Sequence, residues 1–201
     1  MRKVAFGFVV LSFVAATAFA GKYNTAISVG DKAPDFSGLP AIENGEQKSV
    51  SLSDIKEPVV VVVFLANHCP VVQGYEDRVI DFTNDYKDKG VKVVGIAVSQ
   101  MSGDKLPGIK GYMKDHKSTY IYGYDESQSV GKAYGATKTP QFFVLDKERK
   151  IRYTGSLDDS QREDKVTKTY LRDAVDAVLK GETVPVEETR AVGCGVSYKK
   201  G

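Results

Sequence analysis

The stretch Val59-Val60-Val61-Val62-Val63-Phe64-Leu65-Ala66-Asn67-His68-Cys69-Pro70 decides how this 201-residue chain is read. Seven apolar residues in a row, Val59–Leu65, mostly β-branched, suit a strand buried on both faces of a sheet. Apolar residues then recur at helical spacing (Val71, Tyr75, Val79, Phe82, Tyr86), and Pro70 fits the first turn, where no N–H is required. Cys69 therefore stands between the end of a strand and the start of a helix. Unpaired N–H groups and the positive end of a helix dipole favour a thiolate there over a thiol. A cysteine so placed tends to a lowered pKa and nucleophilic character. The plainer alternative is a buried structural cysteine, since the residue type is commonly buried.

Beyond the helix, Gly90 is suited to ending it in a left-handed conformation, and Val91–Val98 is a second buried strand. Strand, helix and buried strand make a βαβ unit with parallel pairing. A polar loop spans residues 99–107, short helices are expected at 108–117 and 128–134, and the tyrosines of Tyr120–Tyr124 alternate as on a strand. Phe142–Leu145 and Ile151–Thr154, joined by the charged turn at 146–150, should pair antiparallel. Ser160-x-x-Glu163 is a capping box expected to open a last helix ending near Lys180, with Tyr170, Leu171, Ala174 and Val178 facing inward and Gly181 closing it. Towards the N-terminus, Asn44-Gly45 between Phe36–Ile42 and Gln47–Leu52 predicts a β-hairpin, and Ser51–Ile55 a short helical turn. The fold class is α/β: a central mixed sheet flanked by helices, with an N-terminal β-hairpin extension.

Met1-Arg2-Lys3, the apolar run 4–16 and Ala18-Phe19-Ala20 match a secretory signal peptide cleaved after Ala20. The apolar run is short for a membrane anchor. The expected organisation is a signal peptide at 1–20, a domain over 21–182 and a tail at 183–201 carrying Cys194, exported to the periplasm or secreted, with no membrane span after cleavage. Removing Arg2 and Lys3 from 28 basic residues leaves 26 against 26 acidic ones. Near-zero net charge argues against a broad grip on nucleic acid or anionic lipid. Two Cys and two His are too few for multi-ligand zinc modules, and no cofactor or metal is expected. A copper site from His68 and Cys69 would have only two ligands, which is poor.

The residues that could carry chemistry are few. In an exporting compartment disulfides persist, so Cys69 and Cys194 either form one bridge or include a working thiol. Thr139-Pro140 precedes the strand at 141–145, where a proline that cannot donate a ladder hydrogen bond belongs. If that bond is cis, the Thr139 backbone is free to pair with an extended substrate beside the thiol; spacing alone leaves this open. His68 either tunes the neighbouring thiol or faces solvent. Arg78, roughly 13 Å along the helix from Cys69, is expected to pair with Glu76 or Asp77 or to sit in water. His116, flanked by charge, reads as a surface residue.

The run from Ala33-Pro34-Asp35-Phe36 through Phe64-x-x-x-x-Cys69-Pro70 to Thr139-Pro140-x-Phe142-Phe143-Val144-Leu145-Asp146 resembles the thioredoxin superfamily. Within it the chain is most similar to the redoxin branch, which includes alkyl hydroperoxide reductase/thiol-specific antioxidant and exported TlpA-like proteins. The likeness covers roughly residues 28 to 180. Asn67-His68-Cys69-Pro70, Tyr75–Arg78 and Gly193-Cys194 are similar to a subgroup of bacterial redoxin-domain proteins. The resemblance implies a thiol-dependent oxidoreductase, with Cys69 as nucleophile. Cys69, His68, Pro70, Thr139 and Pro140 would then shape its site, acting on a peroxide or on protein or small-molecule disulfides and drawing on a thioredoxin-type electron donor. The chain departs from the family at the local resolving thiol, because Val72 or Ala66 occupies its place, and Val62 and Ala66 replace the Pro and Thr of the peroxiredoxin motif. Cys194, between two glycines on a tail expected to be mobile, is either a distant resolving partner or half of a permanent staple. The corresponding alternative function is a non-catalytic peptide-binding module with a structural Cys69–Cys194 disulfide.

Overall fold

The computed structural model describes residues 21–199; the signal peptide expected at 1–20 lies outside the described residues. In chain order, β1 (Leu39–Glu43) and β2 (Glu46–Val50) form a hairpin, and β3 (Val59–Leu65), α1 (Pro70–Tyr86), β4 (Val91–Ala97), α2 (Leu106–His116) and β5 (Ile121–Tyr124) make two successive strand–helix–strand units. Then come α3 (Ser129–Ala133), β6 (Lys138–Thr139), β7 (Gln141–Leu145), β8 (Ile151–Gly155), α4 (Tyr170–Lys180) and the two-residue β9 (Cys194–Gly195). Seven strands form one sheet in the order β2-β1-β5-β4-β3-β7-β8, and β6 pairs separately with β9. β3, β4 and β5 are parallel, whereas β7 runs antiparallel to β3 and β8 antiparallel to β7.

The valine run behaves as its composition requires. Val59, Val61, Val63 and Leu65 enter a core shared with α1, α2 and α4, and Val60, Val62 and Phe64 enter a second core under the N-terminal segment, the hairpin and α3. A strand whose alternate side chains feed two cores cannot present a polar face, hence the unbroken apolar run. The hairpin turns where Asn44-Gly45 stands, both residues having positive φ (52° and 79°), as a two-residue turn of matching twist requires. Gly90 (φ 81°) ends the short 3-10 extension of α1, and Gly181 (φ 72°) ends α4.

The hairpin strands are shorter than expected, β1 beginning at Leu39 and β2 ending at Val50, and α2 begins at Leu106 within the expected loop, but the largest departure is at the last helix. Ser160-x-x-Glu163 does not open α4, which begins at Tyr170. The Ser160 hydroxyl instead accepts the Arg162 N–H at 3.1 Å, and Glu163–Lys165 make a single 3-10 turn. The Asp159 carboxylate holds this loop by accepting the N–H groups of Thr167 (2.9 Å) and Lys168 (3.1 Å). Short polar side chains thus satisfied the backbone locally and took it away from the helix. Leu171 and Ala174 are buried as expected, along with Val175 and Ala177, whereas Tyr170 and Val178 are only half-buried.

Candidate active site at the β3–α1 corner

β3 ends at Leu65, and the chain turns through Ala66–His68 into α1, for which Cys69 is the N-cap and Pro70 the first helical residue. The Cys69 N–H donates to the Ala66 carbonyl at 2.9 Å, and the Cys69 carbonyl accepts the Gln73 N–H at 3.0 Å. The corner is held from a distance. Asp104, fully buried, accepts the Asn67 N–H and the His68 Nδ1–H, both at 2.5 Å. The Asn67 side chain donates to the Gly103 carbonyl (2.6 Å) and accepts the Tyr122 hydroxyl (3.0 Å), while Gln73 donates to the Asn67 carbonyl (2.8 Å). Burial first, and Asp104 second, hold the Tyr122 phenol well above its ordinary range, so it stays a neutral donor.

Thr139-Pro140 is cis, and the Thr139 carbonyl oxygen lies 3.4 Å from Cys69 Sγ, a position at which a reduced thiol would donate its proton. Cys69 and Cys194 are joined by a disulfide with a Cα–Cα distance of 6.1 Å. Cys194 reaches Cys69 as part of β9, which pairs antiparallel with β6 in the register Thr139↔Cys194 and Lys138↔Gly195. Gly193 makes the approach possible: a Cβ there would fall 2.0 Å from the Thr139 oxygen.

Cys69 is 0% exposed and belongs to the core shared with α1, yet it lies at the helix start and beside the Thr139 carbonyl. Cys194 is half-buried. The tail expected to be mobile is tied down on both sides of Cys194. Upstream, the backbones of Glu187 and Thr189 bond to Thr154 (3.1 and 3.0 Å), and the Glu188 carboxylate accepts the N–H groups of Lys22, Tyr23 and Asn24 at 2.6–2.8 Å. Downstream, the Val196 N–H donates to the Thr137 carbonyl at 3.0 Å, and the Gln128 amide bonds the backbones of Ser197 and Lys199. A glycine pair signals chain freedom only where nothing satisfies the flanking backbone, and here other segments satisfy it.

The site therefore brings together Cys69, Cys194, Thr139 and Pro140, with His68 (side chain 40% exposed) and the exposed Pro70 at its rim. Arg78 is not paired with Glu76 or Asp77, nor left in water. Its guanidinium is bonded to Asp158, to the carbonyls of Ser160 and Gln161, and lies 3.9 Å from the Tyr75 ring centroid. That pairing joins α1 to the loop after β8, which helical spacing alone could not reveal. Burial raises the Asp158 carboxyl while Arg78 pulls it back, and burial with the Asp158 charge lifts the Tyr75 phenol to about 12. Glu76 is instead buried among the hydroxyls of Ser118 (2.6 Å), Tyr120 (2.9 Å) and Tyr112 (3.3 Å). His116 is exposed, stacked on Tyr112. The roles of Asp104, Asn67, Gln73 and Gln128 are not visible in the sequence. Asp104 lies in what reads only as a polar loop, and nothing near it in sequence points to Cys69. Among the described residues, no cluster of His, Cys, Asp and Glu is suited to hold a metal, and no helix is long and apolar enough to cross a membrane.

The family model described as redoxin matches residues 28–171. The thiol-disulfide oxidoreductase ResA of Oceanobacillus iheyensis is 27% identical over 142 residues, covering 68% of this chain and 72% of that protein. A solved hypothetical protein from Sinorhizobium meliloti 1021 superposes with a TM-score of 0.80 at 34% identity, covering 89% of this chain and 98% of that one. A thiol:disulfide interchange protein of the thioredoxin family from Chlorobium tepidum superposes with a TM-score of 0.59 at 23% identity over 76% of this chain and 99% of that one, so the architecture is thioredoxin-like.

Proposed function

The chain belongs to the redoxin family, and from that footing we propose that it is a thiol-disulfide oxidoreductase of the cell envelope in which Cys69 is the nucleophile and Cys194 the resolving thiol. The observation that carries this is the Cys69–Cys194 bond made at the N-cap of α1, opposite Thr139. In the reduced protein, the Cys69 thiolate attacks one sulfur of a substrate disulfide; the other sulfur leaves as a thiolate and a mixed disulfide forms. Cys194 then attacks the Cys69 sulfur, releases the second substrate thiol and regenerates the bond present in the structure. A thioredoxin-type dithiol donor reduces that bond and is itself oxidised to a disulfide. Helix N-terminal N–H groups favour the Cys69 anion as attacker and as leaving group.

Disulfide exchange fits better than peroxide reduction, because Val62 and Ala66 stand where peroxiredoxins carry Pro and Thr. The envelope location is supported by the signal-peptide pattern of the sequence at residues 1–20 and by the Cys69–Cys194 bond, since disulfides persist most readily in oxidising compartments. The likeness to a ResA protein supports exchange as the reaction class.

A second reading is favoured by one observation: Cys69 is wholly buried and the tail is tied down on both sides, as a structural staple would be. Equilibration of the full chain with glutathione or dithiothreitol buffers separates the two. A reduction potential above about −300 mV, with a Cys69 pKa below the free value of about 8.5, is expected for an exchanging pair; a potential below that range and an unshifted thiol would establish the staple.

A further inference from the structure

The oxidised tail is a peptide caught in the act of being disulfide-bonded to Cys69, so its seat describes what else can be bonded there. Part of that seat ignores side chains. Thr137 accepts the Val196 N–H at 3.0 Å, Thr139 and Lys138 pair with Cys194 and Gly195, and the Gln128 amide both donates to the Ser197 carbonyl (3.0 Å) and accepts the Lys199 N–H (2.7 Å). These contacts take any extended chain running antiparallel to β6.

Two other contacts depend on side chains. One residue before the cysteine, at Gly193, even a methyl group would lie 2.0 Å from the Thr139 oxygen. Four residues after it, Tyr198 is half-buried against the second core, and its hydroxyl donates to the Ala136 carbonyl at 2.6 Å. Burial, and then the Asp125 charge, raise that phenol to about 12, so it remains a donor. The Lys132 ammonium lies 6.0 Å from the ring centroid, and a Cβ at position 131 would come within 2.9 Å of the Tyr198 hydroxyl, so the ring has its space because residue 131 is glycine. A cleft of about 530 Å³, lined by His68, Val98, Met101, Gln128 and the tail itself, adjoins this seat.

We propose that the groove beside Cys69 selects its protein partners by sequence, taking an extended segment in which glycine precedes the reacting cysteine and tyrosine follows it by four residues, and that the tail is the tethered copy of that segment. The proposal rests on the exchange reading of Cys69 given above. A partner sulfur must occupy the place of Cys194 Sγ, next to Thr139, and its neighbours then meet the same oxygen and the same tyrosine seat.

The test uses the reduced full chain carrying Cys194→Ser, in which resolution is blocked. Its probe is a peptide with the sequence of residues 190–199 whose cysteine is capped as a mixed disulfide with thionitrobenzoate. The Cys69 thiolate bonds to the peptide sulfur, the peptide–nitrobenzoate S–S bond breaks, and the coloured thiolate leaves. Alanine in place of the peptide's glycine is expected to slow the reaction about 10-fold or more, and alanine in place of its tyrosine about 5-fold, that is, of order 1 kcal/mol each. Adding Tyr198→Ala to the protein should loosen its own tail and speed the parent peptide several-fold. Equal rates for an analogue and the parent overturn the corresponding preference, and an unchanged rate in the Tyr198→Ala chain overturns the shared seat. The symmetrical aromatic disulfide, which has no peptide, separates the two levels: if it reacts with Cys69 while the peptides do not differ, only the selectivity fails. If neither it nor any peptide reacts until the protein is unfolded, the exchange reading fails as well.

Discussion

The two cysteines are held in unlike ways. Cys69 stands where a seven-residue strand with every side chain buried meets a 17-residue helix, and it is itself wholly buried. Cys194 rides on a two-residue strand, half-exposed, held by backbone hydrogen bonds to the short strand β6, to Thr137 and to Thr154 of β8, and by a few side chains such as Gln128. The first thiol is placed by the hydrophobic core, which breaking the disulfide leaves in place. The second is placed by a strap gripped mainly by hydrogen bonds worth only about 0.5–1.5 kcal/mol net each, with Val196 and Tyr198 only half-buried against the second core, so reduction should loosen the strap and leave the corner standing. That contrast is what a resolving arm requires: a fixed nucleophile and a releasable partner.

The largest effect expected is on chemistry. Cys69→Ser should abolish disulfide exchange outright in a stopped assay with a small disulfide, whereas Cys194→Ser should retain the first step and accumulate the mixed disulfide, seen by mass. Relative to the oxidised parent, Cys194→Ser should also lose about 5 kcal/mol of unfolding free energy on the loop-entropy estimate. Relative to the reduced parent it should lose almost none; a large loss there would mean that the tail is held as firmly as the core.

Phe143→Ala probes the other region. Phe143 is fully buried and packs on Phe64 and Tyr134 at centroid distances of 5.8 and 5.1 Å. Its truncation should cost about 3–5 kcal/mol in denaturant melts of oxidised and reduced protein alike. A loss confined to one redox state would break the separation of core from strap.

Gly193→Ala acts only on the strap. The added methyl would press on the Thr139 oxygen, so the disulfide should become easier to reduce by about 30 mV or more, equivalent to about 1.4 kcal/mol, in glutathione titrations. The reduced protein's melting temperature should be unchanged.

The smallest effect concerns acid. The bonds from Thr167 and Lys168 hold the Asp159 carboxyl down to about 2, from 3.8. A folded pKa below the unfolded one stabilises above the unfolded value and loses that contribution as pH falls through the folded one. Amide protection factors in the 159–168 loop, corrected for the intrinsic exchange rate at each pH, should therefore fall between about pH 4 and pH 2, with no matching change at Val59–Leu65; simultaneous opening of both would contradict a local role.

What could be read in the chain follows the same division. Val59–Leu65, the helical spacing after Pro70, and Asn44-Gly45 are local patterns whose meaning depends on period and backbone preference, and each forms the element expected. Ser160-x-x-Glu163 is also local, but its groups went elsewhere: the Asp158 carboxylate accepts the Ser160 N–H at 3.2 Å and the Ser160 hydroxyl accepts the Arg162 N–H, so no capping box closes. At the site, Cys69 was visible from its junction, and Thr139-Pro140 and Cys194 were visible as candidates. Asp104, 35 residues past Cys69, was not, since a lone aspartate in a polar loop carries no local sign of what it will hold.

From residues alone came the α/β architecture, the strand–helix corner and a cysteine at its apex, because side-chain periodicity and proline and glycine stereochemistry act over a few neighbours. Only the tertiary structure decided that Cys194 meets Cys69 against Thr139, that Asp104 fixes the corner and that Arg78 crosses to Asp158. Those pairings join segments dozens of residues or more apart, and chain closure over such distances leaves no mark in local sequence; it is set by which surfaces the packed sheet presents.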